Sequence, residues 1–180
     1  MTIAPDIYDA ILALQYRHAR VLDDDRLEEW PALFTERGVY KVIPRENWHR
    51  EPKLAILFCD SRAMMDDRIR SLRTANVYNI HYPRHIVTNV EVLAARGDEF
   101  DVAAAFTVYQ TDQEGQTRLF SVGQYLDVIT FGEGAHTCAT HTGRPARHNH
   151  NPTVGHPYPP HRRRLPSVSS GEWIPRAAAW

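Results

Sequence analysis

The sequence predicts an α+β domain in which N-terminal helices pack into a curved antiparallel or mixed sheet. Three observations carry this. Apolar residues step at helical spacing through Ile7, Ile11, Leu14, His18 and Leu22. They do so again at Met65, Ile69 and Leu72. From Ile86 the period changes to two, and it recurs in three long stretches that end near Phe131. Helices come first and a strand meander follows.

The elements follow in order. Pro5-Asp6 suits a first helical turn, so the first helix is expected over Ile7–Leu22. Asp23, Asp24 and Asp25 are read as N-caps for a short second helix through Arg26–Trp30, in preference to a metal site, because consecutive carboxylates lack the spaced ligands of a calcium loop. Pro31–Phe34 continues or restarts that helix. Thr35–Gly38 reads as a turn and Val39–Ile43 as the first strand. Pro44–Pro52 is loop, and Leu54–Cys59 is a short apolar strand in which Cys59 is expected to be a core residue. Asp60 or Ser61 caps the next helix. Tyr82-Pro83 marks the joint after it, since proline biases its predecessor away from helix. In the strand Ile86–Leu93, Ile86, Thr88, Val90 and Val92 are expected on one face, with His85, Val87, Asn89 and Glu91 on the other. Ala95–Asp98 turns into a strand at Glu99–Tyr109, with Val102, Ala104, Phe106 and Val108 on one face. Thr111–Gly115 is a hairpin connection. Arg118–Phe131 is the last long strand, with Phe120, Val122, Leu126 and Val128 on one face and Tyr125 and Ile129 on the other.

Composition narrows the setting. A length of 180 residues suits one domain with a sizeable core. A net charge of −1 gives no case for nucleic acid or an anionic membrane surface. No apolar run approaches the roughly 20 residues that span a bilayer. The first residues lack the basic and apolar regions of a signal peptide. Two cysteines make no disulfide framework, so a reducing, cytoplasmic setting is expected. The chain is uneven, however. Residues 131–180 hold six Arg and two acids, six of the ten His and seven of the twelve Pro.

An ordered set of motifs resembles a known family. Leu22-Asp23, Glu29-Trp30-Pro31, Leu33-Phe34-Thr35 and Tyr40 come first. Asp67-Arg68-Ile69, Leu72-Arg73, Asn76, Tyr78 and Arg84-His85-Ile86 follow, then Phe120-Ser121-Val122-Gly123-Gln124-Tyr125-Leu126-Asp127. The set is similar to the small (β) subunit of aromatic-ring-hydroxylating dioxygenases, particularly those serving benzoate, halobenzoate, anthranilate, salicylate or terephthalate. It covers about residues 5–130. The resemblance implies a cystatin-like cone, shared with nuclear transport factor 2 and scytalone dehydratase. It also implies assembly with a large α subunit, commonly as α3β3. The α subunit would carry a Rieske [2Fe–2S] cluster and a mononuclear Fe(II), fed from NADH through a reductase, with or without a ferredoxin. The β subunit would hold no cofactor or metal and play a mainly structural role.

The residues were weighed against that division of labour. A Rieske centre needs Cys-x-His paired with Cys-x-x-His. Cys138–His141 matches the second half, but Cys59 is followed by Asp60 and Ser61, so the first half is absent. His81 and His85 have no carboxylate in clear register for a non-haem iron triad. In dehydratase and isomerase relatives of the fold, His and Asp inside the cone do acid–base chemistry. A standalone enzyme of that kind would use His85 with Asp23 or Asp25, and Tyr16 or Tyr40 as a hydrogen-bond donor. A small-ligand binding protein is a further alternative. The resemblance favours no catalytic residue in this chain, and places Asp66, Arg68, Arg70, Arg73, Tyr78, Tyr82 and Arg84 as candidates for subunit contacts.

Residues 131–180 lack periodic apolar signal, and are expected to be disordered or to derive from a shifted reading frame. A one-base shift in a reverse translation of Val154-Gly155-His156-Pro157 can encode Leu-Ala-Ile-Pro, an apolar ending of the kind the family has. Without a last strand the sheet would keep an exposed edge. Intact-mass measurement on the native protein separates the two origins: a mass matching all 180 residues rules out the frame shift.

Overall fold

The computed structural model describes residues 3–75, 80–132 and 135–145, the last stretch as backbone. Two α-helices and six strands form the cone: α1 (Pro5–Asp23), β1 (Phe34–Val42), β2 (Leu57–Cys59), α2 (Arg62–Thr74), β3 (His81–Arg96), β4 (Glu99–Asp112), β5 (Thr117–Gly132) and β6 (Ala135–Pro145). The strands form one sheet in the order β2-β1-β6-β5-β4-β3. All neighbours are antiparallel except β1 and β6, which run parallel, so the sheet is mixed as expected.

α1 forms where the apolar stripe demands it. Pro5 stands in its first turn, and Ile11, Leu14, Val21 and Leu22 are buried against the sheet. α2 buries Met65, Ile69 and Leu72, the three residues that its spacing put on one face. β4 buries Phe100, Val102, Ala104, Phe106 and Val108, so its alternation is also met. Gly97 and Gly115, at φ +62° and +81°, supply the left-handed residues of the two hairpins that bracket β4.

Several expectations are corrected. The three aspartates do not cap a second helix. Leu27–Glu29 is one 3-10 turn preceded by Arg26, with no side-chain cap, and Pro31–Leu33 is another. Ser61 precedes α2, but its hydroxyl bonds the Asp60 carboxylate rather than the helix N-terminus. Thr35–Gly38 belongs to β1, where the six residues from Phe34 to Val39 span only the three from Cys138 to Thr140 of β6; the chain bulges instead of turning back. Tyr82-Pro83 lies inside β3, which is tolerable because β3 is an edge strand.

β3 also breaks its own alternation. Thr88 faces Ala105 while Glu91 faces Ala103, so β3 carries one extra residue there. Asn89 takes φ +52° at this bulge, a conformation asparagine tolerates. Val87 is therefore buried on one side of the bulge and Val90 and Val92 pack inward on the other, while Ile86 is exposed. A second bulge at Phe120 of β5 turns that ring inward and leaves Val122 exposed. Further along β5, the buried face is that of Tyr125, Asp127 and Ile129.

β6 lies beyond the boundary expected at residue 130. It fills the centre of the sheet, between β5 and β1, so no edge is left there. Residues 146–180 lie outside the described residues.

Arg73 ties the C-terminus of α2 to the loop after α1. Its guanidinium donates to both Asp25 carboxylate oxygens (3.0 and 2.8 Å), to the Asp25 carbonyl (2.8 Å) and to both Glu28 oxygens (2.8 and 3.1 Å). The hydrogen bond from Arg73 holds the Glu28 carboxyl below its ordinary range. A depressed acid stabilises the fold above its unfolded pKa, and that contribution is lost as pH falls through the folded value. Arg73→Ala is expected to cost about 1 kcal/mol at neutral pH in chemical denaturation, a figure set by solvent screening. The difference from wild type should shrink as pH falls through the lowered pKa of Glu28.

Candidate functional site

The inward face of α1 is not wholly apolar. Gln15, His18 and Asp23 share it, and each meets a partner on a different element. The Gln15 amide donates to the Asp127 carboxylate of β5 at 2.5 Å. The Trp30 indole donates to His18 Nε2 at 3.0 Å, which makes that nitrogen the acceptor. Asp23 receives three contacts from His85 of β3: the backbone N–H at 3.0 and 3.1 Å, and ring Nδ1 at 2.6 Å. Both side chains are buried, with 4% and 3% exposure. Arg84 Nη1 stands 3.6 Å from the same carboxylate.

Around His18 the cone is filled by rings. Phe34, Tyr40 and Tyr125 lie with centroids 6.0–6.4 Å from the imidazole. Trp30 packs edge-on against Tyr40 and Phe34 at 4.9 and 5.4 Å. Tyr125 stacks on Phe106 at 4.3 Å. Burial pushes the Tyr40 and Tyr125 phenols well above the ordinary range, so both remain neutral donors at physiological pH. Arg68 reaches toward this interior. Burial pulls its guanidinium below the usual value, opposed by Cys59 and Tyr40. Burial raises the Cys59 thiol, which keeps it from acting as a thiolate. Arg62 of α2 donates to the Phe34 carbonyl and closes the helix onto β1.

The structure brings together only part of the acid–base set that the sequence offered. Asp23 and His85 meet. Asp25 is bound to Arg73, and Tyr16 points to solvent with 48% exposure. Tyr40 sits in the aromatic box with His18, Trp30 and Phe34. The Asp23 carboxylate holds the backbone N–H of the same histidine as well as its ring, and so ties the end of α1 to β3.

The contact candidates also separate. Asp66 and Arg70 are exposed on α2, with Arg70 paired to Asp67 at 3.3 Å. Tyr82 and Arg84 lie on the outer face of the sheet, 60% and 71% exposed. Arg68 turns inward and Arg73 is engaged with Asp25 and Glu28 of the same chain. Tyr78 lies outside the described residues, and so do the side chains of Cys138 and His141. Among the described residues no three His, Cys, Asp or Glu side chains group as metal ligands, and no helix is long and apolar enough to cross a membrane.

Sequence reasoning missed the Gln15–Asp127 pair and the role of His18. Both were signalled. His18 falls on the α1 stripe, and Asp127 shares strand parity with Tyr125 and Ile129.

Comparison with known proteins gives the lineage. Residues 17–141 match the family model described as the ring hydroxylating beta subunit. The chain is 37% identical over 119 residues to the anthranilate 1,2-dioxygenase small subunit of Burkholderia cepacia, covering 66% of this chain and 74% of that one. It is 32% identical over 124 residues to the beta 1 subunit of the terminal oxygenase component of terephthalate 1,2-dioxygenase from Comamonas sp, covering 69% and 80%. A crystal structure assigned as the beta subunit of an aromatic-ring-hydroxylating dioxygenase from Novosphingobium aromaticivorans superposes with a TM-score of 0.72 at 34% identity, covering 77% of this chain and 88% of that one. From the ordered motifs, the cone and these matches, the chain belongs to the family of β subunits of aromatic-ring-hydroxylating dioxygenases.

Proposed function

We propose that this chain is the non-catalytic β subunit of a terminal oxygenase that dihydroxylates an aromatic carboxylate in the cytoplasm. It scaffolds a large α subunit, in an α3β3 assembly, whose Rieske [2Fe–2S] cluster and mononuclear Fe(II) carry the chemistry. Electrons arrive from NADH through a reductase, with or without a ferredoxin. The observation that carries the substrate class is the similarity to the anthranilate and terephthalate small subunits, whose named substrates are both aromatic carboxylates. The structural role is supported by the interior: Gln15, His18 and Asp23 of α1 each meet a partner on another element, and the rings pack at contact distance. Asp66, Arg70, Tyr82 and Arg84 are the proposed contacts with the α subunit.

Co-expression with a large oxygenase subunit of this family, with the affinity tag on this chain, tests the reading. A coloured complex with iron and acid-labile sulfide in the partner is expected. A colourless homo-oligomer that turns over a substrate by itself, and loses that activity on His85→Ala, would overturn it. In the assembled oxygenase His85→Ala should leave kcat per α subunit within about twofold while lowering the stability of this chain by roughly 1–3 kcal/mol, the cost of stranding a buried polar partner.

Tyr82→Ala with Arg84→Ala should weaken capture of the α subunit at least tenfold, about 1.4 kcal/mol. Unchanged capture in a titration would remove these two residues from the interface.

A further inference from the structure

Among the described residues, β3 is a sixteen-residue strand at the edge of the sheet, paired only with β4. Long edges invite pairing with another chain, because their outward N–H and C=O groups have no strand beside them. Its sequence through His85-Ile86-Val87-Thr88 is rich in residues that favour strands.

The register identifies the outward groups. In an antiparallel pair, alternate residues direct their backbone groups toward the neighbour and away from it. The His85 N–H goes to Asp23, so it points away from β4. Pro83 and Val87 share that parity. Pro83 has no N–H to offer. The His85 N–H is bound by the Asp23 carboxylate. Past Val87 the bulge at Asn89 interrupts the edge, and the Val90 carbonyl accepts from the Tyr8 hydroxyl at 2.9 Å. A second irregularity follows between Val92 and Ala94. Asp23 and Tyr8 both belong to α1, near its two ends.

We infer that α1 closes the β3 edge, with the Asp23 carboxylate as the principal block, and that the strand it excludes is β3 of a second copy of this chain. A proline, a carboxylate and a tyrosine hydroxyl occupy outward positions at Pro83, His85 and Val90, on either side of Val87. The chain is thereby confined to assembly through its faces. Two β3 strands paired antiparallel about His85 would extend the sheet into a continuous one across both copies, and the blocked N–H lies at the centre of that contact. The Asp23–His85 pair, similar in kind to an acid–base dyad, serves here to seal backbone.

The test uses the full chain with Asp23→Ala, and with Asp23→Leu, which fills similar space without an acceptor. Molar mass is followed by light scattering over a concentration series, and amide exchange is read at His85. Either folded variant should associate with rising concentration. The third protein, Asp23→Ala with His85→Pro, deletes the exposed N–H and should return to the wild-type mass. Backbone exchange at His85 should rise at least tenfold in dilute Asp23→Ala and fall again as it associates. The inference is overturned if either single variant melts cooperatively yet keeps the wild-type mass at every concentration. It is equally overturned if the double variant associates as strongly as Asp23→Ala, since the contact would then lie elsewhere.

Discussion

The structure depends on the burial of three polar side chains along the face of α1 that meets the sheet. A helix with a purely apolar stripe could slide or rotate on a curved sheet at small cost. Gln15, His18 and Asp23 remove that freedom, because each must meet its own partner or remain stranded in a medium where an unmet group costs about 1–3 kcal/mol. Their partners are spread over β5, the 3-10 turns and β3. Each contact ties α1 to a different element of the fold. The aromatic rings pack around one of these contacts: the Trp30 indole that donates to His18 is the same ring that abuts Tyr40 and Phe34.

How much of this was legible follows from what each signal reports. Periodicity reports burial averaged along an unbroken element, so α1, α2 and β4 could be read directly. It fails at a bulge, where one inserted residue reverses every side chain beyond it. That is why Ile86 and Val90 of β3 do not share a face, and why Phe120 and Val122 of β5 part company. It fails also where non-local pairing forms the strand. Thr35–Gly38 has turn composition but is carried in β1 beside β6, and β6 itself has little apolar alternation although it stands mid-sheet. The aspartate run shows a third limit. Asp23, Asp24 and Asp25 are locally suited to capping, and long-range cations and backbone donors claim two of them.

The candidate site shows the same division. The identity of Asp23 and His85 was readable, and so was their possible meeting. What the sequence could not convey is that the carboxylate also holds the His85 backbone N–H. That added contact ties a helix end to a strand edge, so removal of the carboxylate should be felt in stability.

A cone of this kind can serve either catalysis or scaffolding, and the two uses place opposite demands on its interior. Catalysis needs an open interior with polar groups held apart, ready for a substrate. A scaffold gains from filling it. Here Trp30, Phe34, Tyr40 and Tyr125 gather around His18 inside the cone, and burial keeps both tyrosines neutral. The surface follows the same logic. The outer face of the sheet carries exposed Tyr82, Ile86, Tyr109, Leu119 and Val122, whereas the adjoining edge is sealed. Face contacts can be matched by shape and charge to one partner, while an open edge accepts any extended strand. A subunit whose task is to hold others in fixed geometry benefits from closing the indiscriminate surface and leaving the discriminating one exposed.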